Sequence, residues 1–202
     1  FKAHLSVIEK LEKQNKLLGS REYRHSYPHS WRSKKPIIYR TTPQWFISMK
    51  SNNLKDKAMQ GIEDTTWIPK SSKNRIQSMV ENIPDWCVSR QRTWGVPLTI
   101  FINKNTGEPL KDENVMERII EDVKRKGSDV WLSENPLKYL EKDYNPEDYY
   151  AVKDILDVWF DSGTSHAFVL ENNNLSWPAD LYLEGTDQHR GFFQSSLLAA
   201  CG

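Results

Sequence analysis

The sequence predicts an α/β fold, on three observations. A short apolar run, Leu181-Tyr182-Leu183, halts at Glu184-Gly185, passes through the polar cluster Thr186-Asp187-Gln188-His189-Arg190, and enters helical spacing at Phe192, Phe193, Leu197 and Leu198. That pattern reads as strand, tight turn, helix. Amphipathic helical stripes recur elsewhere, and short β-branched and aromatic runs bounded by Pro, Gly and Asn separate them. In open α/β sheets ligands bind beyond the carboxyl ends of strands, and a helix N-terminus there suits an anion, although an ordinary βα connection gives the same spacing.

The elements follow in order. Residues 2–18 carry Leu5, Ile8, Leu11 and Leu18 on one helical stripe, with Gly19 as a fitting stop. Residues 21–50 are basic and aromatic: Tyr23, Tyr27, Trp31, Tyr39, Trp45 and Phe46 lie among Arg21, Arg24, Arg32, Lys34, Lys35 and Arg40. Such interleaving serves base stacking and phosphate neutralisation, or else buried strands at Ile37-Ile38-Tyr39 and Trp45-Phe46-Ile47; the pattern favours strands. Short helices are expected over 52–60 and 73–82, the second capped by Ser71 or Ser72. The chain is extended from Asp85 to Pro97, with a strand at Leu98–Ile102 and a turn at Asn105-Thr106-Gly107. A helix over 114–126, with Val115, Ile119, Ile120 and Val123 inward, ends at Gly127. Residues 128–150 are acidic, aromatic and irregular, with Pro136 and Pro146 as breakers.

Bulk properties narrow the function. The 202 residues suffice for one large domain or two small ones, and 38% apolar with 27% charged residues suits a globular protein. No apolar run approaches the length of a membrane span, and Phe1-Lys2-Ala3-His4 does not open a signal peptide. The missing initiator Met points to a piece of something larger. Two cysteines, Cys87 and Cys201, argue against a disulfide scaffold and fit a reducing cytoplasm. The net charge of +1 conceals an asymmetry: residues 1–100 hold 18 Lys/Arg against 8 Asp/Glu, and residues 101–202 hold 10 against 19. A basic half of this kind is either a nucleic-acid face or an ordinary solvated surface.

Familiar chemistries fit poorly. His25 and His29 are spaced for one helical face, but Pro28 lies between them, and neither cysteine has a partner at ligand spacing, so no metal site is expected. Cys87, between Trp86 and Val88, reads as buried and inert. Ser162 lacks a nucleophile elbow, no Gly-rich phosphate loop is present, and Lys70-Ser71-Ser72-Lys73 is a short basic match of a kind common by chance.

Three stretches remain: DWCVSRQRTWGVPL at 85–98, DVWFDSG at 157–163 and LEGTDQHRGFF at 183–193. Together they resemble the class I aminoacyl-tRNA synthetases for branched aliphatic amino acids, most closely the isoleucyl branch of bacterial type. The Ser-Arg-Gln-Arg-x-Trp-Gly element is shared loosely with valyl and leucyl relatives, whereas DVWFDSG followed by EGTDQHRG separates the isoleucyl branch from them. Residues 26–49 resemble the segment that returns from the family's editing insertion. The resemblance covers roughly 20–202 and is weakest over 104–150.

The resemblance implies part of a Rossmann-like class I catalytic domain plus a mixed α+β connective insertion. It divides the chain into 1–50 returning from the editing insertion, 51–150 connective, and 151–202 opening the second half of the catalytic domain. HIGH would lie far upstream and KMSKS just downstream, so such a piece alone is expected to be inactive. The implied activity joins isoleucine to ATP as an adenylate and passes the acyl group to tRNA(Ile). Its partners are isoleucine, ATP with Mg2+, and tRNA(Ile), and the setting is a monomeric cytoplasmic enzyme.

By matching motif, Glu184, Gly185, Asp187 and Gln188 would contact the aminoacyl-adenylate. Trp159 and Phe192 would wall the side-chain pocket, and no residue acts as nucleophile or catalytic base. Arg90, Gln91 and Arg92 would either brace the site's floor or touch the tRNA acceptor end. Two departures stand out. Some relatives carry a zinc-binding Cys-x-x-Cys where this chain has Ser30-Trp31-Arg32-Ser33, so no zinc is expected. Phe192 stands where the family usually has Trp, losing ring area and an N–H. A non-catalytic RNA-binding module, a structural connector and a valyl-type relative stay open as alternatives.

Overall fold

The computed structural model describes residues 3–202; Lys2, where the expected first helix begins, lies outside them. The chain divides into two compact units, Phe1–Thr42 and Pro43–Gly202.

In the first unit, helix α1 spans Ala3–Lys13 and buries none of its residues. It ends earlier than expected because Asn15 adopts φ 52° and not because of Gly19. The amides of Asn15 and Lys16 donate to Glu12 O and Leu11 O, the paired bonds of a Schellman stop. Farther on, His29 bridges Pro36 around a turn at residues 31–33. The expected strand at 37–39 does not form: Ile38 and Tyr39 are each 80% exposed, with no ladder partner among the described residues.

The second unit interleaves helix and strand in the predicted α/β manner. Its strands form three short antiparallel pairs: β1 (Phe46–Ile47) with β2 (Trp86–Cys87), β3 (Ser89–Arg90) with β6 (Ile155–Leu156), and β4 (Phe101–Asn103) with β5 (Tyr149–Ala151). Helices α2 (Leu54–Asp64), α3 (Ser71–Glu81) and α7 (Phe192–Cys201) surround a core of Met49, Leu54, Ala58, Ile62, Ile76, Val80 and Leu198. Each large side chain buried there contributes about 1.5–3 kcal/mol. Neither Ser71 nor Ser72 caps α3; Lys70 holds the N-cap position without a side-chain bond.

A second core joins β4 to helix α4 (Glu113–Lys126) and the short helix α5 (Val130–Ser133) through Phe101, Val115, Ile119, Trp131, Tyr139 and Leu140. Ile120, expected inward, is 43% exposed, and Asp122 occupies that face instead. Its carboxylate accepts from Lys138 Nζ at 2.7 Å and Tyr139 Oη at 2.8 Å. Those bonds, Lys138 first, hold it well below the usual carboxylate range. Pro136 and Pro146 start helical turns where breakers were expected: each sits at the first position, behind Asn135 and Asn145, whose side chains cap Leu137 N–H and Glu147 N–H.

Candidate active site around the Glu184–Gly191 turn

The site begins at β6. Asp157, 5% exposed, ends the strand and caps helix α6 (Val158–Gly163) by accepting from Trp159 N–H at 3.4 Å. Helix α6 crosses α7 closely: a Cβ on Gly163 would lie 2.9 Å from the backbone carbonyl of Ser195. That contact fixes Trp159, at one end of α6, against the turn that precedes α7.

The turn is a 3₁₀ element at Thr186–His189, entered from Gly185. Gly185 O accepts from Gln188 N–H at 3.0 Å, and buried His189 closes the turn with Nδ1 2.7 Å from Thr186 O. Gln188 uses both ends of its amide: Nε2 donates to Asp187 Oδ2 at 3.0 Å, and Oε1 accepts from Phe192 N–H at 3.1 Å. Asp187, Gln188 and the first turn of α7 are thus one hydrogen-bonded run at the positive end of a helix. A side chain on Gly191 would meet Gln188 Oε1 at 2.4 Å and Trp159 Cη2 at 2.9 Å. Only glycine lets the indole lie that close to the turn. Glu184 is exposed and makes no hydrogen bond or ion pair among the described residues, so its carboxylate is uncommitted.

Leu181–Leu183, expected as a strand, is extended but unpaired; Leu181 and Leu183 are 73% and 79% exposed. A strand needs a neighbour for its backbone groups, and none among the described residues lies alongside. Tyr182 matters here in a way the apolar run does not indicate. Its ring stacks on Phe192 at 5.1 Å, and its hydroxyl pairs with Ser165 Oγ at 2.7 Å. Trp159 and Phe192 therefore flank the turn with different partners, the indole on Gly191 and the phenyl ring on Tyr182.

The three residues of the Arg-Gln-Arg run separate. Arg90 Nη2 donates to Asp157 Oδ2 at 2.8 Å, and its Nη1 donates to Cys87 O and Ser89 O, both at 2.8 Å. Gln91 Nε2 reaches Gln44 Oε1 at 3.2 Å and Asp154 Oδ1 at 3.3 Å. Both side chains are spent on hydrogen bonds within the unit. Arg92 makes no such bond among the described residues; with Arg90 it lines an open cleft of about 520 Å³ that also includes Trp94, Asp129 and Asp161. Burial, with the nearby charge of Asp157, pushes the Asp161 carboxyl above its ordinary value. A raised folded-state value means that the native state binds this proton more tightly than the unfolded chain, so its contribution to stability falls as pH rises from the ordinary carboxylate range through the raised one. Asp161→Asn, neutral throughout, is expected to gain thermal stability over the unsubstituted chain between pH 4 and pH 7, read by melting at both.

Among the described residues no group of three or more His, Cys, Asp or Glu side chains is arranged to hold a metal ion. No described helix is long and apolar enough to cross a membrane.

Comparison with known proteins supplies the family. The chain is 56% identical over its whole length to the isoleucine–tRNA ligase of Pelagibacter ubique, of which it spans 22%. It is 52% identical to that of Gluconobacter oxydans, over 92% of this chain and 20% of the relative. It is also 52% identical to that of Syntrophotalea carbinolica, over 99% and 22%. The chain thus spans about a fifth of the length of these curated relatives. A family model described as tRNA synthetases class I (I, L, M and V) matches residues 1–201, and the chain belongs to that family.

Proposed function

We propose that this chain is part of an isoleucine–tRNA ligase, cytoplasmic and monomeric, and that its Glu184–Gly191 turn holds the aminoacyl-adenylate. The observation that carries the reading is the run from Asp187 through Gln188 to the first N–H of α7, beside Trp159. Preorganised donors and acceptors of this kind suit a reaction that needs positioning and charge stabilisation and no enzyme nucleophile. The isoleucine carboxylate attacks the α-phosphorus of ATP and pyrophosphate leaves. A ribose hydroxyl of the terminal tRNA adenosine then attacks the acyl carbonyl and AMP leaves.

In this reading uncommitted Glu184 accepts from the substrate ammonium or from ribose hydroxyls. Gln188 donates to the carboxyl or carbonyl oxygen, and Gly185 lets the backbone approach. Trp159 and Phe192 wall the side chain. One methylene in such a wall separates isoleucine from valine only modestly, a pair that is itself the standard illustration of the limit, so editing elsewhere supplies the rest. Magnesium would arrive with the nucleotide phosphates; among the described residues no cluster of His, Cys, Asp or Glu is arranged to ligate it. Both cysteines are free thiols, in keeping with a reducing cytoplasm.

The test is exchange of labelled pyrophosphate into ATP by the whole protein, driven by isoleucine, valine or leucine in turn. Isoleucine is expected to give the highest kcat/KM. A preference for valine would move the chain to the valyl relatives, and no amino-acid-dependent exchange would sink the reading.

A further inference from the structure

Three arginines of the Pro43–Gly202 unit are neutralised by aspartates: Arg90 by Asp157, Arg118 by Asp143 and Arg125 by Asp122. Arg75, Arg92 and Arg190 have no acidic partner among the described residues. Two of these, Arg75 and Arg190, line the same groove of about 530 Å³ between α3 and the start of α7.

The groove follows from helix geometry. Arg75, Ser78 and Asn82 fall at i, i+3 and i+7, one face of α3 and its C-cap. Asn82 is spent on ending the helix: its Nδ2 donates to Ser78 O at 2.8 Å. The Ser78 hydroxyl makes no hydrogen bond among the described residues. Across the groove, Arg190 follows the Thr186–His189 turn, and Gln194 stands one turn farther along. Gln194 is two residues from Phe192, about 200° around the α7 axis, so it projects from the side of α7 opposite the pocket-wall ring; Arg190 belongs to the adenylate turn itself, whereas Arg75 on α3 does not. The Gln194 side-chain amide is also uncommitted among the described residues. No carboxylate lines the groove.

Two arginines lining one groove that holds no carboxylate favour an anion there. Their forked donors fit phosphate oxygens two at a time, with the Ser78 hydroxyl and the Gln194 amide as further donors. We infer that the Arg75–Arg190 groove is a binding site for a backbone phosphate of RNA. The assignment to RNA rests on the tRNA partner proposed above. The open groove also suits a phosphodiester that passes through rather than a terminal group that ends there.

The experiment uses the whole protein with Arg75→Gln, Arg75→Lys, Arg190→Gln and the Arg75/Arg190 double change. Affinity for unmodified tRNA(Ile) is measured across a salt series, beside pyrophosphate exchange without tRNA. Each Gln substitution is expected to weaken tRNA binding roughly tenfold and to flatten the slope of log K against log salt by about 0.7–0.9. Arg75→Lys should recover the slope but only part of the affinity. Exchange by Arg75→Gln should stay unchanged, which also shows that the variant is folded. Unaltered tRNA affinity and slope in the double variant would overturn the inference. So would a raised KM for ATP or pyrophosphate in exchange by Arg75→Gln, because the phosphate would then belong to the nucleotide. If the unsubstituted protein shows no exchange, the proposed function fails, and the RNA comparison still judges the groove separately.

Discussion

Gln188→Ala in the whole protein is expected to lower isoleucine-dependent pyrophosphate exchange by about 10²–10³-fold, the usual loss when one preorganised donor aimed at developing charge is removed. Two effects combine. The donor that would meet the substrate oxygen disappears, and so does the acceptor that takes Phe192 N–H at 3.1 Å. Gln188→Glu separates them. It keeps an acceptor for Phe192 N–H but replaces the donor with a second carboxylate beside Asp187, 3.0 Å from the original amide nitrogen. The Glu variant should therefore fold normally and lose exchange as severely as the Ala variant. Glu184→Ala should also fall sharply, without any change in melting temperature, because the Glu184 side chain supports nothing else. Near-normal exchange in both Gln188→Ala and Glu184→Ala would dismiss the turn as the adenylate site.

Why the turn was legible in the sequence and its surroundings were not is a matter of range. Glu184 to Arg190 is a dense run of short-range chemistry, and its 3₁₀ turn and following helix are fixed by hydrogen bonds across four residues or fewer. The α7 boundary and the Gly127 stop of α4 have the same local origin. What failed depended on distant partners. Leu181–Leu183 has strand composition, but composition does not provide a neighbouring strand. Ile120 and Asp122 lie two positions apart on α4, and hydrophobicity favours Ile120 for the core. Asp122 is buried instead because Lys138 and Tyr139, 16 and 17 residues away, satisfy its charge. The Arg-Gln-Arg run is the sharpest case: three adjacent polar residues look equivalent until Asp157, 67 residues later, claims Arg90.

That last pairing makes Asp157→Ala the substitution with the largest expected effect on stability, about 2–4 kcal/mol. Asp157 joins three pieces of the site. It accepts from Arg90 at 2.8 Å, from Trp86 Nε1 at 3.4 Å and from the first turn of α6 at Trp159 N–H. Removing one member of a buried pair leaves the other charge uncompensated, but Arg90 is 39% exposed, so water recovers part of that loss. The lost helix cap adds to it. Asp157→Asn keeps an acceptor for the cap and should fall between Ala and the unsubstituted chain. Arg90→Ala leaves the carboxylate still bonded to Trp86 and the helix start and should cost less than Asp157→Ala. In the double variant the losses should add to less than their sum, because the pair is broken once. Urea melts of the four variants measure this; additivity within a few tenths of a kcal/mol would mean that Arg90 and Asp157 do not act as a unit. The consequence for function runs through Trp159, whose backbone is the capped group and whose ring rests on Gly191. If Asp157 seats that ring, Asp157→Asn should raise the KM for isoleucine in exchange more than it lowers kcat, whereas a purely structural role would reduce the amount of active protein and leave KM unchanged.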